Sequence, residues 1–176
     1  LSTWYDRRFN MLGEEAHLIT FKKIPIWRIS SEVSRLKRDH DMIIIDGPPS
    51  LESDAKHAMR LANLVVVPVQ PTPADVWSTH AVLEFAGSED IPLMLVMNRV
   101  TARSRLAMLF QKKLPFLAET QLGNRMLFAS CLEDGDTVFE IAPNSTAAKE
   151  MQQLLKEISK RLAIKQRKSN REAEYA

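Results

Sequence analysis

Met42-Ile-Ile-Ile-Asp46-Gly47-Pro48-Pro49-Ser50 decides how this chain is read. Four apolar residues run without alternation into an aspartate, a glycine and two prolines. Continuous rather than alternating apolar runs mark strands buried on both faces, as in parallel α/β sheets. Asp46 would then stand at the C-terminal end of such a strand, the edge where ligands bind in open α/β sheets. A carboxylate there suits a magnesium ion opposite a nucleotide phosphate. Read alone, an aspartate in this position equally ends a strand before a turn. The Gly-Pro-Pro turn that follows favours the first reading, because glycine admits close approach of the backbone and the prolines restrict its exit path.

Two further apolar runs, Leu64–Val69 and Leu93–Met97, have the same character, and helical patterns lie between the three. Ser53–Asn63 puts Ala55, Ala58, Met59 and Ala62 on one face. Thr72 and Pro73 predict the cap and first turn of the next helix, with Val76, His80 and Leu83 inward. Strand, helix, strand, helix, strand implies crossover units and a parallel sheet. Upstream, Leu18–Phe21 reads as a strand and Ser31–His40 as a helix with Val33 and Leu36 inward. Downstream, Arg103–Leu114 reads as a helix and Leu127–Ala129 as a strand. Asn144–Ala163 is the clearest amphipathic helix, with Ala148, Met151, Leu155, Ile158 and Leu162 on one face. The tail from Lys165 lacks apolar periodicity.

The chain has 176 residues, 45% hydrophobic and 26% charged, which suits one domain with a real core. A net charge of +2 does not by itself point to nucleic acid. Cys131 is the single cysteine, which excludes an internal disulfide and a multi-cysteine metal site and fits a reducing, cytoplasmic setting. It reads as a small buried residue. His17, His40, His57 and His80 have no metal-ligand spacing. No apolar run approaches the roughly 20 residues that span a bilayer, and the first residues, Leu1 to Arg8, do not form a signal peptide. Trp4, Trp27 and Trp77 read as packing residues. Lys22-Lys23, Arg103/Arg105 and Lys112-Lys113 read as solvated charge.

Beyond single residues, several segments share one resemblance. Ile43 to Leu51 resembles the Walker B and switch region of ParA/MinD-type ATPases, which commonly reads hydrophobic-Ile-Asp-Thr-Pro-Pro; Gly47 replaces the threonine. Ala58 to Gln70 is similar to the family's helix, small turn and Val-Val-Val-Pro-Val-Gln strand. Leu95-Val-Met-Asn98-Arg99 resembles the strand ending in the asparagine that reads adenine. Asn98 offers an acceptor and donors to match that base; on its own it is also an ordinary turn residue. Gly135 to Ala148 matches the closing pattern before the last helix. Ser2-Thr3-Trp4 resembles the pair that follows the second strand in relatives.

The resemblance covers roughly Leu1 to Leu162. It implies a three-layer, P-loop NTPase-like α/β fold with a mostly parallel sheet flanked by helices. It also implies cofactor-binding roles for Asp46, Gly47, Pro48, Asn98 and Arg99, with Asp46 on magnesium, through water. The implied cofactors are ATP or ADP with magnesium. Implied partners are a second copy on ATP binding, non-specific DNA and a stimulating ParB-like protein, in a cytoplasmic, nucleoid-associated setting. From Lys149 to Ala176 there are eight Lys/Arg against four Asp/Glu, so Lys160, Arg161 and Lys165 join Arg125 as candidate DNA contacts.

A P-loop needs clustered glycines followed by lysine and Ser/Thr. Gly13, Gly47, Gly87, Gly123 and Gly135 are the chain's glycines, and none precedes a lysine. The expectation is therefore a truncated nucleotide-binding domain over 1–164, lacking the first strand and P-loop, with a basic tail at 165–176. A chain of this kind has no catalytic residue of its own. If it is the whole gene product, a non-catalytic DNA- or partner-binding module derived from such an ATPase is the second expectation. An amphipathic membrane helix of the MinD kind is not expected, nor is the tyrosine cluster of related kinases, since the tail holds only Tyr175.

Overall fold

The computed structural model describes residues 1–13, 18–47 and 51–162. Helix α1 spans Ser2–Leu12, a 3-10 turn spans Ile26–Arg28, and α2 spans Ile29–Leu36. Then come α3 (Ser53–Leu61), β1 (Val65–Val69), α4 (Pro73–Ser88), β2 (Leu93–Met97) and α5 (Arg105–Lys113). Helices α6 (Met126–Asp134), α7 (Val138–Ile141) and α8 (Thr146–Arg161) complete the order.

β1 and β2 pair in parallel, with Val65 opposite Leu93 and Val69 opposite Met97. β2 is buried at every position. Its side chains alternate between two cores, as a pleated strand requires. Leu93 and Leu95 pack with Val69, Val76 and Met59, on the side of α3 and α4. Met94 and Val96 pack with Leu154, Ala118 and Leu122, on the side of α8. The sheet therefore carries helices on both faces, which is the three-layer arrangement expected from the continuous apolar runs.

A third extended segment lies beside β2. The Leu95 amide donates to the Phe116 carbonyl (3.0 Å), the Ala118 amide to Leu95 (2.8 Å) and the Leu122 amide to Met97 (2.8 Å). Helix α8 fixes this segment with two carboxylates seven residues apart, hence on one helical face. Glu157 accepts from the Glu119 and Thr120 amides (2.9 and 2.7 Å) and from the Thr120 hydroxyl. Glu150 accepts from the Gly123 amide (3.1 Å) and pairs with both arms of Arg125.

Met42–Ile45 differs from expectation. It is not an assigned strand, and its backbone enters no ladder bond among the described residues. Ile43 and Ile45 pack with Ile29, Val33 and Ala58, while Ile44 is 83% exposed. That alternation is strand-like, with only one face covered. β1 is similar: Val65, Val67 and Val69 face the α4 core, whereas Val66 and Pro68 are exposed. Pro68 has no amide hydrogen to donate, which suits a strand paired on one side.

Other expectations are corrected. Leu18–Phe21 forms no strand; Tyr5 stacks on Phe21 (5.2 Å), and Thr20 meets His40 (2.8 Å). Leu127–Ala129 lies in α6, where a short apolar run packs Phe128 against α8. On α4 the buried residue is Thr79, not His80; its hydroxyl bonds back to the Val76 carbonyl (2.7 Å). On α8 Ala148, Met151 and Ile158 turn inward as expected, but Leu154 is buried in place of Leu155, which is 46% exposed. Trp27 and Trp77 are 78% and 70% exposed rather than packed. The expectations about His17 and the 165–176 tail lie outside the described residues.

Candidate functional site

β1 and β2 end together. The Asn98 amide donates to the Val69 carbonyl (2.8 Å), so Gln70 and Asn98 leave the sheet at the same edge. Just beyond, Thr72 caps α4 by accepting from the Asp75 amide (3.2 Å). Asp75 turns back and accepts from the Gln70 amide (3.0 Å). This second bond is not visible in the sequence, because it depends on how the strand end meets the helix start. The two bonds fix the β1–α4 turn.

Asn98 is half-buried. Its Oδ1 accepts from the Arg99 amide (2.9 Å), and Arg99 is exposed with φ 53°. A left-handed non-glycine residue is uncommon, and a side-chain acceptor on the preceding asparagine stabilises it. The Asn98 carboxamide nitrogen makes no hydrogen bond among the described residues, so its donors remain available.

Asp46 and Gly47 are exposed at the end of the Met42–Ile45 segment. Asp46 makes no ion pair or hydrogen bond among the described residues. No hydrogen bond links it to Gln70, Asn98 or Arg99. A single free carboxylate fits magnesium only as one ligand among waters and phosphate oxygens, which is how that ion is usually held. Among the described residues no group of three His, Cys, Asp or Glu could hold a metal on its own. Pro48 lies outside the described residues, as does Lys165.

The candidate DNA contacts are not brought together. Arg125 is held by Glu150 near the start of α8, with Nε 2.9 Å from Oε2. The pairing raises the Arg125 pKa and holds the Glu150 carboxyl below its ordinary range. Lys160 and Arg161 are exposed at the other end of α8, roughly 15 Å along the helix from Glu150. Arg161 donates to the Leu93 carbonyl (3.3 Å), at the opposite end of β2 from Asn98.

The fold and this strand-end geometry define an α/β chain with a parallel sheet between helical layers. A family model described as an AAA domain matches residues 7–85. The maintenance of carboxysome distribution protein A of Halothiobacillus neapolitanus is 26% identical over 131 residues, covering 68% of this chain and 61% of that protein. The cell division ATPase MinD of Pyrococcus furiosus matches in fold with TM-score 0.65 and 22% identity, over 77% of this chain and 59% of that one. MinD of Pyrococcus horikoshii, solved with Mg-ADP, gives 0.68 and 18%, over 77% and 57%. A plasmid partition protein of Borrelia burgdorferi bound to AMPPNP gives 0.62 and 20%, over 83% and 61%. The chain shares its fold with MinD and plasmid partition proteins, and it spans about three-fifths of the length of the proteins it matches.

Proposed function

We propose that these residues form the base-reading and magnesium-side part of a ParA-type ATPase that positions a cargo, a plasmid, chromosome or protein body, along DNA. The observation that carries the reading is the free carboxamide donor of Asn98 at the paired ends of β1 and β2, in a fold shared with nucleotide-bound relatives. Asn98 would meet the adenine edge, with Arg99 beside it. Asp46 would hold magnesium through water. Magnesium would supply charge neutralisation at the phosphates.

The residues present fit the base and the metal, but not the phosphates. No glycine in the 176 residues precedes a lysine, and the backbone cradle that binds a triphosphate needs that pattern. The reading therefore assigns no catalytic residue within the chain, and treats 1–164 as part of a nucleotide-binding domain. Dimerisation on ATP, binding of non-specific DNA and a ParB-like stimulating partner belong to the same reading, with DNA met by Lys160, Arg161, Lys165 and Arg125. For Arg125 this requires release from Glu150.

The missing glycine–lysine pattern also supports a second reading, a binding module that no longer hydrolyses ATP. The product of the complete reading frame containing these residues separates the two. Under the first reading it binds Mg-ATP, and Asp46→Ala and Asn98→Ala each weaken binding by about tenfold or more, a loss of about 1.4 kcal/mol. Nucleotide affinity untouched by both substitutions, or absent altogether, would overturn it.

A further inference from the structure

The Gly135-Asp-Thr-Val-Phe-Glu140 segment lies away from the strand-end site, and the structure gives it a different partner. Helix α1 has no buried residue, so apolar burial contributes little to its place in the fold. It lies against α6 and makes polar contacts to this segment. Arg8 grips Glu140 with both arms (2.7 Å to Oε1, 3.0 Å to Oε2) and donates to the Gly135 carbonyl (3.1 Å). The Trp4 indole donates to the Asp136 carbonyl (3.0 Å), and the Arg8 guanidinium lies 5.5 Å from the Trp4 ring.

The segment is shaped for this helix. Gly135 has φ 83°, and a Cβ there would meet the Arg8 amide nitrogen at 2.5 Å. Thr137 and Glu140 form the capping box of α7, so one carboxylate serves both the cap and Arg8. On its other side, α1 reaches the segment that leads to α2: the Tyr5 hydroxyl donates to the Ile19 carbonyl (3.2 Å), and Tyr5 stacks on Phe21. That segment continues into the Ile24–Ile45 cluster that carries Asp46.

We infer that α1 is a releasable strap, latched by Arg8 on the Gly135–Glu140 cradle, that ties the Asp46-bearing block to the C-terminal block and opens as a unit while the sheet and α8 stay folded. Two features make it releasable. On the cradle the latch is one ion pair and two bonds to backbone carbonyls, and the Arg8 Nε is buried with no partner among the described residues, so the closed state leaves a donor unsatisfied. The Asp46-bearing block has its own hold on the sheet core through α3: Met59 packs beside Val69 and Leu95, and Arg60 pairs with Glu89 (2.6 Å) and lies over Phe85.

Hydrogen exchange on the full chain tests this with two variants that attack the latch differently. Glu140→Gln removes the charge, and Gly135→Ala blocks the close approach. In both, α1 amides are expected to exchange at least about tenfold faster, while those of β2 and α8 keep wild-type rates, as local opening requires. Unchanged α1 exchange in both variants would overturn the latch. Loss of protection in α1, β2 and α8 together would overturn release as a unit.

Discussion

Glu140 shows how one residue's environment sets a pH response. The Arg8 guanidinium, with help from Thr137, holds its carboxyl down at about 2, against an ordinary 4.5. A depressed carboxyl contributes stability that is fully present above its unfolded value and is lost as pH falls through its folded one. The contribution should therefore fade between about pH 4.5 and 2. Acid titration of wild type and Glu140→Gln by circular dichroism should give curves that converge across that window and differ above it. A constant offset down to pH 2 would contradict the assignment. At this scale the sequence was partly legible. Asp46 and Asn98 stood out because each ends an apolar run. Arg8 and Glu140 did not, because they lie 132 positions apart and only the fold joins them.

Helix α4 was visible from its Thr72 cap and α8 from its apolar periodicity, which did not single out Ser145 as the cap. Thr72 and Ser145 each accept from an amide three residues on. What periodicity missed was which residue turned inward. Leu154 and Leu155 are equally apolar, and the choice depends on where Met94 and Val96 lie. It missed, too, that α8 holds an edge segment with its polar side chains. Glu157 takes three donors from Glu119 and Thr120, and Glu157→Ala would leave those donors bare. A loss of about 2 kcal/mol is expected from unsatisfied amides, read as a lower denaturation midpoint. By contrast, Glu32→Ala, which breaks an exposed pair with Arg35 (2.5 Å), should leave the midpoint where it is. Equal effects from the two substitutions would contradict the role given to Glu157.

For the whole molecule, the reading of Met42 to Ile45 pointed to the α/β fold while mistaking the local state of those residues. A strand buried on both faces was expected. Ile43 and Ile45 are covered by α2 and α3, Ile44 is open, and the backbone has no ladder partner among the described residues. β1 is likewise open on one face, at Val66 and Pro68. Apolar run length reports how a strand is buried in its complete sheet. It does not report whether the neighbouring strand belongs to the same stretch of chain. The same distinction bears on the proposed function: Asn98 and Asp46 are the residues proposed for base and metal, and the glycine–lysine pattern for phosphate is not among these residues. Titration of the 176-residue chain with Mg-ATP tests this division most directly. Binding no tighter than about millimolar is expected for a site without its phosphate cradle; saturable, magnesium-dependent binding near micromolar would contradict it.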